Sequence, residues 1–406
     1  MFSHRFSKDT KANRLTLALE RAREAGRPIL DLTESNPTRC GFHYDEESIS
    51  RAISSPGIMR YEPDPRGLSM ARQAIAAYYG ERGVVVDPEF LVLSSGTSEA
   101  YGYLFKLLAD PGGEILVPVP GYPLLEVLTS LDSMRLVPYR SVYDAHQGWR
   151  IDLERLANTI SNRTKAIVAV SPNNPTGAFL KEDELAGMIE ICRRFDLALI
   201  VDEVFSDYGV GDDQQRVRTI AGTTEAMTFV LNGFSKIVGL PQLKLAWTYV
   251  SGPPKLRERA REGLEFIADA YLSVNTPIQL AAPSILGQRS AIQSQIRRRL
   301  DENERILHEA LHQAGSCRIL KREGGWYAVI RLPDDVSDEE LCLLCLEEDL
   351  VLVHPGYFYD FPGGSHVVLS LLTQVGFFRE GVSRLAGRLA FPHRLQAGAQ
   401  GDIVRA

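Results

Sequence analysis

Four stretches of this chain set chemically capable side chains directly after a short apolar run. Ser94-Ser-Gly-Thr-Ser98 follows Phe90 to Leu93, and Ser171-Pro-Asn-Asn-Pro-Thr-Gly177 follows Ala166 to Val170. Asp202 and Glu203 follow Leu197 to Val201, and Asn232-Gly-Phe-Ser-Lys236 follows Met227 to Leu231. In open parallel sheets ligands gather at the carboxyl ends of the strands, so these are the positions at which anion binding, acid–base work or attack on a carbonyl carbon would be built. Each stretch also has an ordinary structural explanation. Asn-Pro-Thr-Gly makes a good turn, an Asp at a strand end caps the next helix, Ser-Lys is common surface chemistry, and a Gly/Ser/Thr cluster is an N-cap. Their order and spacing set them apart.

Together they resemble the fold-type I pyridoxal-phosphate (PLP) enzymes, specifically the class I and II aminotransferases related to aspartate aminotransferase. The pattern is a Gly-rich helix start, Asn-Pro-x-Gly, a strand-end Asp-Glu, and Ser-Lys followed by Gly-Leu-Pro, and it runs from about Asp31 to Leu389. The resemblance implies that PLP forms its internal aldimine on Lys236, which also shuttles a proton once substrate displaces it; this requires an ammonium pKa depressed by burial. Asp202 would keep the pyridine nitrogen protonated, and Asn174 would bond the ring hydroxyl. Gly96, Thr97 and Ser98 would offer backbone N–H groups to the phosphate, joined by Ser235. Tyr122 matches the aromatic that stacks on the ring, with a catalytic part. Tyr61 matches a tyrosine that reaches the neighbouring subunit's phosphate, which implies a homodimer.

Several positions depart from the family pattern. Lys244 stands where an Arg grips the phosphate, replacing a bidentate fork with a point charge. Gly233 replaces a phosphate-binding Ser, and Phe205 replaces a Tyr that contacts the ring hydroxyl. The family's Arg that clamps the substrate α-carboxylate has no counterpart, because the matching strand reads Val367-Val368-Leu369-Ser370. Something else must meet a carboxylate. Arg39, with Asn36 and Asn174, is the expected substrate contact, since residues 34–39 belong to the stretch that folds across the active-site mouth in this family; Arg66 is a further arginine beside Tyr61.

The elements that must position these residues form an α/β architecture. Between about residues 90 and 250, seven apolar runs alternate with turns and helical stretches, adding Glu114 to Val117, Arg135 to Pro138 and Leu245 to Val250 to those above. Several runs lack alternation, as strands buried on both faces do. The expectation is a PLP-dependent transferase fold of type I. A mostly parallel seven-stranded sheet with helices on both faces forms a large domain (residues 52–285). A smaller α+β domain comes from residues 1–51 and 286–391, with a loose tail at 392–406. A long helix over Ala291 to His312 should connect the domains, followed by strands Tyr327 to Leu332, Leu350 to Val353 and His366 to Leu371 and helices Asp338 to Glu347 and Phe378 to Leu389.

Composition narrows the function further. With 406 residues, 44% hydrophobic and 24% charged, the chain can bury a sizeable core. A net charge of -7 offers no cationic field for nucleic acid, and Arg297-Arg298-Arg299 reads as a solvated helix face. Five scattered cysteines fit a reducing, cytoplasmic compartment. Cys342 and Cys345 form a CxxC within an apolar run, which points to helix packing rather than a metal site. No apolar run is long enough to span a bilayer.

The expected activity is transfer of an amino group between an amino acid or amine donor and a 2-oxo acid through pyridoxamine phosphate. The alternatives are a PLP-dependent lyase or synthase on the same scaffold, working by β-elimination or C–C bond formation, and a non-catalytic ligand-sensing module. A nicotinamide-binding Rossmann enzyme is disfavoured because no GxGxxG follows a strand.

Overall fold

A computed structural model describes residues 12–312 and 317–390, together with Ser3 and Arg5; the expected tail at 392–406 lies outside the described residues. All seven apolar runs are strands of one sheet, to which an eighth is added. The strands are β1 (Leu91–Ser94), β2 (Glu114–Val119), β3 (Arg135–Asp144), β4 (Gly148–Ile151), β5 (Thr164–Val170), β6 (Ala198–Asp202), β7 (Thr228–Gly233) and β8 (Ala246–Ser251). Their order is β1-β8-β7-β6-β5-β2-β3-β4. Pairs from β7 through β3 are parallel, while β8 runs antiparallel to both β1 and β7. The expectation of seven strands therefore missed β4, which folds back antiparallel on Ser141–Asp144. Gly-Trp-Arg-Ile is too short and mixed to announce itself, and the turn before it is held by Asp144 Oδ1, which accepts the N–H groups of His146 and Gln147 at 2.8 Å.

Every residue of β6, β7 and β8 is buried, which explains their unbroken apolar runs. Alternate side chains feed two cores: Leu116, Ile167, Leu199 and Val230 on one face, Ile115, Val168, Ile200 and Phe229 on the other. The long helix spans Arg289–Leu311. Beyond it a four-stranded antiparallel sheet runs in the order Arg318–Ile319, Tyr327–Arg331, His366–Ser370, His354–Pro355. Helices Asp338–Glu347 and Val375–Leu389 pack into the core that backs it, with Leu15 and Ala18 of the N-terminal helix Arg14–Glu24. Cys342 and Cys345 are fully buried in that core, as helix packing requires.

One expectation fails on this helix: the basic run is not simply solvated. Arg297 donates to the carbonyl of Asp207 at 2.9 Å, and Arg299 donates to those of Cys40 and Leu372 at 3.1 and 2.9 Å. These guanidiniums satisfy loop carbonyls that have no strand partner, a use invisible in a one-dimensional charge pattern. Among the described residues no helix is long and apolar enough to cross a membrane.

The segment Arg322 to Tyr327 brings the second sheet onto the first. A Cβ on Gly177 would meet the Gly324 carbonyl at 2.5 Å, and one on Gly324 would meet the Tyr208 carbonyl at 2.7 Å. Only glycines allow backbones this close. The buried Lys181–Glu323 ion pair fastens the same junction.

Candidate active site

Lys236 rises from a single helical turn, Phe234–Ile237, at the end of β7. Its carbonyl accepts the Tyr208 hydroxyl at 2.7 Å, and three residues on the Gly239 carbonyl accepts the Tyr44 hydroxyl at 2.7 Å. The backbone of the turn is thus held from two sides. The Nζ lies 4.6 Å from the Trp326 ring centre and 5.2 Å from that of Phe205. Trp326 meets both Phe205 and Tyr208 edge to face, at 5.2 and 5.1 Å. Burial among these rings lowers the lysine to about 8, against the opposing attraction of Asp202. An amine so tuned is partly neutral near pH 7 and can attack a carbonyl carbon.

Asp202 ends β6, 8% exposed. Its Oδ1 accepts the Val204 N–H at 3.1 Å and its Oδ2 accepts the Tyr101 hydroxyl at 3.2 Å. Burial raises it to about 6, while these two bonds and Lys236 pull it down. It therefore stays largely ionised at neutral pH and can hold a proton on a ring nitrogen. Glu203 next to it faces elsewhere, accepting the Ile220 N–H at 2.8 Å, a link that holds the chain after β6.

An anion corner lies at the start of helix Thr97–Leu108, which Gly96 precedes. A Cβ on Gly96 would stand 3.1 Å from Lys244 Nζ, so the ammonium sits at the helix N-terminus, where dipole and unpaired N–H groups favour negative charge. Among the described residues Lys244 has no ion-pair partner. Lys244 follows the short turn Pro241–Leu243 with a left-handed φ of 53°. Ser235 is half-buried on the Lys236 turn. Gly233 cannot be replaced freely, since a Cβ there would meet Ala246 Cβ at 2.9 Å and the Leu245 carbonyl at 3.0 Å.

Asn174 lies in the turn after β5, 9% exposed, and its buried Oδ1 has no hydrogen-bond partner among the described residues. Its side chain and that of Ser35 reach the Tyr327 hydroxyl. Tyr122 is 48% exposed beside Gly121, whose N–H donates to the Tyr359 carbonyl at 2.9 Å.

The donor set fits a phosphorylated pyridine aldehyde on this chain's own terms. An unpaired ammonium at a helix start matches a phosphate, a buried carboxylate matches a ring nitrogen, and unfilled amide capacity at Asn174 matches a ring hydroxyl.

Among the described residues the other expected side chains make no hydrogen bond or ion pair with Lys236. Tyr61 is 77% exposed. Arg66 is engaged with Glu89 at 2.9 Å and Glu265 at 3.4 Å, which leaves it tied to the large sheet's rim. Asn36 spends its Oδ1 on the N–H and hydroxyl of Thr38, at 3.1 and 2.8 Å, capping the turn Pro37–Arg39. Arg39 projects from that turn, exposed, with Glu34 at 3.9 Å. Val368 is fully buried, packed with Trp149, Leu320, Val329 and Tyr359.

Sequence reasoning missed Tyr101, Tyr208 and Trp326. Tyr101 carried a signal: it lies four residues after Thr97, one helical turn behind the anion corner on the same face. Trp326 carried none, since it enters from the second sheet.

The sequence profile of the family "Aminotransferase class I and II" matches residues 30–371. Glutamate-pyruvate aminotransferase AlaA of Escherichia coli K12 is 29% identical over 383 residues, covering 93% of this chain and 94% of that one. Alanine aminotransferase of Mycobacterium tuberculosis H37Rv is 30% identical over 357 residues, covering 86% and 82%. Among solved structures, an aminotransferase from Escherichia coli superposes with a TM-score of 0.84 at 28% identity over 97% of this chain and 99% of that one. Alanine aminotransferase from Pyrococcus furiosus gives 0.86 at 25% over 96% and 99%. The chain belongs to the class I and II aminotransferases and is a PLP-dependent transferase of fold type I.

Proposed function

We propose that this aminotransferase carries PLP on Lys236 and passes an amino group from a donor to a 2-oxo acid. The observation that carries the assignment is the meeting of four strand ends: a pKa-lowered lysine, a buried carboxylate, an unsatisfied asparagine and an unpaired ammonium at a helix start. When bound, the cofactor supplies a protonated ring that draws electrons from the substrate carbon. Asp202 holds the ring proton, and Tyr101 and Val204 keep its carboxylate oriented. Lys236, once released, moves a proton to and from the substrate carbon within its ring-lined pocket, where Trp326 and Phe205 exclude water. Tyr122 at the mouth covers the ring, and Gly96, Thr97, Ser98, Ser235 and Lys244 bind the phosphate. Asn174 orients the ring hydroxyl, a task Phe205 cannot share.

The reading extends to a cytoplasmic homodimer with residues 52–285 as its cofactor-binding domain. Its support is an exposed apolar set, Met59 at 93%, Tyr61 at 77% and Phe266 at 81%, which a second copy would cover while placing Tyr61 at the neighbour's phosphate. Five cysteines scattered through the chain fit a reducing compartment. Borohydride reduction of PLP-loaded protein followed by peptide mapping tests the central assignment: a phosphopyridoxyl group is expected on Lys236. Label on Lys244, or no label in loaded protein, would overturn it.

A further inference from the structure

The turn that carries Lys236 ends on a carbonyl that its own backbone cannot satisfy. The residue four places after Ile237 is Pro241, which has no N–H to close a helical bond, and among the described residues no backbone N–H reaches the Ile237 carbonyl. Gln293, 5% exposed on the helix Arg289–Leu311, supplies the donor. Its Nε2 donates to that carbonyl at 2.9 Å and to Asp207 Oδ2 at 2.8 Å, while its Oε1 accepts Arg297 at 3.3 Å. Both partners of the nitrogen only accept and the partner of the oxygen only donates, so the amide has one orientation and both its N–H groups are spent.

Asp207 is itself fixed. Its Oδ1 accepts Arg82 at 2.6 Å and the Tyr78 hydroxyl at 3.2 Å, and its carbonyl accepts Arg297 at 2.9 Å. It lies five residues after Asp202, in a run of turns closed by the Ser206 N–H on the Glu203 carbonyl and the Tyr208 N–H on the Phe205 carbonyl, both at 2.9 Å. The next residue, Tyr208, donates to the Lys236 carbonyl. The segment leaving β6 therefore begins with the carboxylate for the ring nitrogen and ends with two successive residues that hold the lysine turn, one directly and one through Gln293. The ladder between β6 and β7 cannot do this, because it ends at Asp202 opposite Leu231, five residues short of Lys236. A pyridine ring that carries its nitrogen and its aldehyde on opposite sides is rigid, so the two groups that meet them must keep a fixed separation.

We infer that Gln293 is a positioning residue for the transfer reaction, holding Lys236 at the separation from Asp202 that the cofactor ring spans. The inference rests on the reading of Lys236 given above. A buried amide that only filled space could give way to a side chain of equal length, whereas one that sets the place of the lysine cannot.

The test compares two measurements on cofactor-free protein. Rapid mixing with saturating PLP follows capture on Lys236 as growth of visible absorption, and a titration with deoxypyridoxine phosphate, which lacks the aldehyde, reports the rest of the site. Gln293→Met keeps the length and loses both donors; Gln293→Asn keeps an amide too short to reach both acceptors. Each is expected to slow capture by about tenfold or more, the order of effect that a misplaced reacting group produces, while deoxypyridoxine phosphate binds as tightly as to the unaltered protein. Capture at the unaltered rate in either folded variant would overturn the inference. So would an equal loss of capture and of analogue affinity, or loss of folding in both variants, since each marks a general structural role. Borohydride labelling of the unaltered protein tests the underlying reading separately: label away from Lys236 removes that reading before the variants are compared.

Discussion

The Lys244 ammonium lies so close to Gly96 that a methyl group added to the glycine would stand 3.1 Å from the Nζ. One cation and one helix N-terminus therefore address the same point. Lys244→Ala should weaken PLP binding by about a hundredfold, in line with loss of a charge-assisted contact, while reduction still labels Lys236. Lys244→Arg should tighten PLP, because a guanidinium adds a second parallel bond to phosphate. Equilibrium dialysis decides both; weaker binding by the arginine variant would mean that the left-handed backbone there aims the longer side chain past the site. Gly96→Ala should change affinity little, since what it meets is the free end of a flexible side chain.

Gly233 offers a contrasting case. Restoring the family's serine cannot add a phosphate contact without first displacing Ala246 and the Leu245 carbonyl, which lie at 2.9 and 3.0 Å from the added Cβ. Gly233→Ser should lower stability by about 1–3 kcal/mol, the usual cost of overpacking, and should not tighten PLP. Urea unfolding and a PLP titration check the two halves; a variant that binds PLP more tightly at unchanged stability would contradict the packing argument.

The pH dependence follows from Lys236 and Asp202. Neutral amine is the form that captures the cofactor aldehyde, so loading of cofactor-free protein should accelerate with pH and reach half its maximum near 8, where burial has placed Lys236, rather than near 10.5. Asp202→Asn removes the attraction that holds the ammonium up, so that midpoint should move below 8. The linkage has a definite sign: the unfolded chain binds more protons at Lys236 between about 8 and 10.5, so stability of the cofactor-free protein should rise with pH across that window. For Asp202 the folded chain binds more protons between 3.8 and about 6, so its contribution falls as pH rises through that range. Stopped-flow loading and denaturant melts at stepped pH measure both, and a loading midpoint near 10 would show that the lysine is not desolvated.

Legibility in the sequence tracked locality. Lys236, Asp202 and Asn174 could be found because each follows its own apolar run, and the sheet itself makes those strand ends converge. The seven strands that coincide with apolar runs and the helix Asp338–Glu347 were equally plain, their periodicity being set by burial on one or both faces. Trp326 and Tyr208 were hidden because what brings them to Lys236 is the approach of two glycine-bearing backbones from different sheets, a contact with no local pattern. The aromatic packing of Trp149 and Tyr359 on Val368 was hidden likewise. The missing arginine could be noticed along the strand, but what packs around Val368 comes from β4, from His354 across the ladder and from Tyr359.

Arg39 is the residue expected to meet the substrate carboxylate, since the buried Val368 supplies no cation in its place. Its side chain is 74% exposed and its one ion pair, with Glu34, spans 3.9 Å. An exposed pair that loose is worth little, so the guanidinium can exchange Glu34 for a substrate carboxylate at small cost. Asn36 fixes the turn that presents it, through both bonds to Thr38. The fixed turn reduces the ordering that binding must supply. Arg39→Ala should therefore raise KM for a 2-oxo acid and cut kcat/KM by about a hundredfold, a loss of roughly 3 kcal/mol, while the visible spectrum and the reaction with an amine donor stay unchanged. Glu34→Gln should act in the opposite direction, lowering KM modestly by removing the competing carboxylate. The decisive measurement is steady-state kinetics with the acceptor varied at saturating donor. If both half-reactions slow equally in Arg39→Ala, the arginine shapes the mouth and does not meet the carboxylate; if neither changes, the acceptor is held by groups deeper in the cleft, and Asn174 with Ser35 becomes the next pair to substitute.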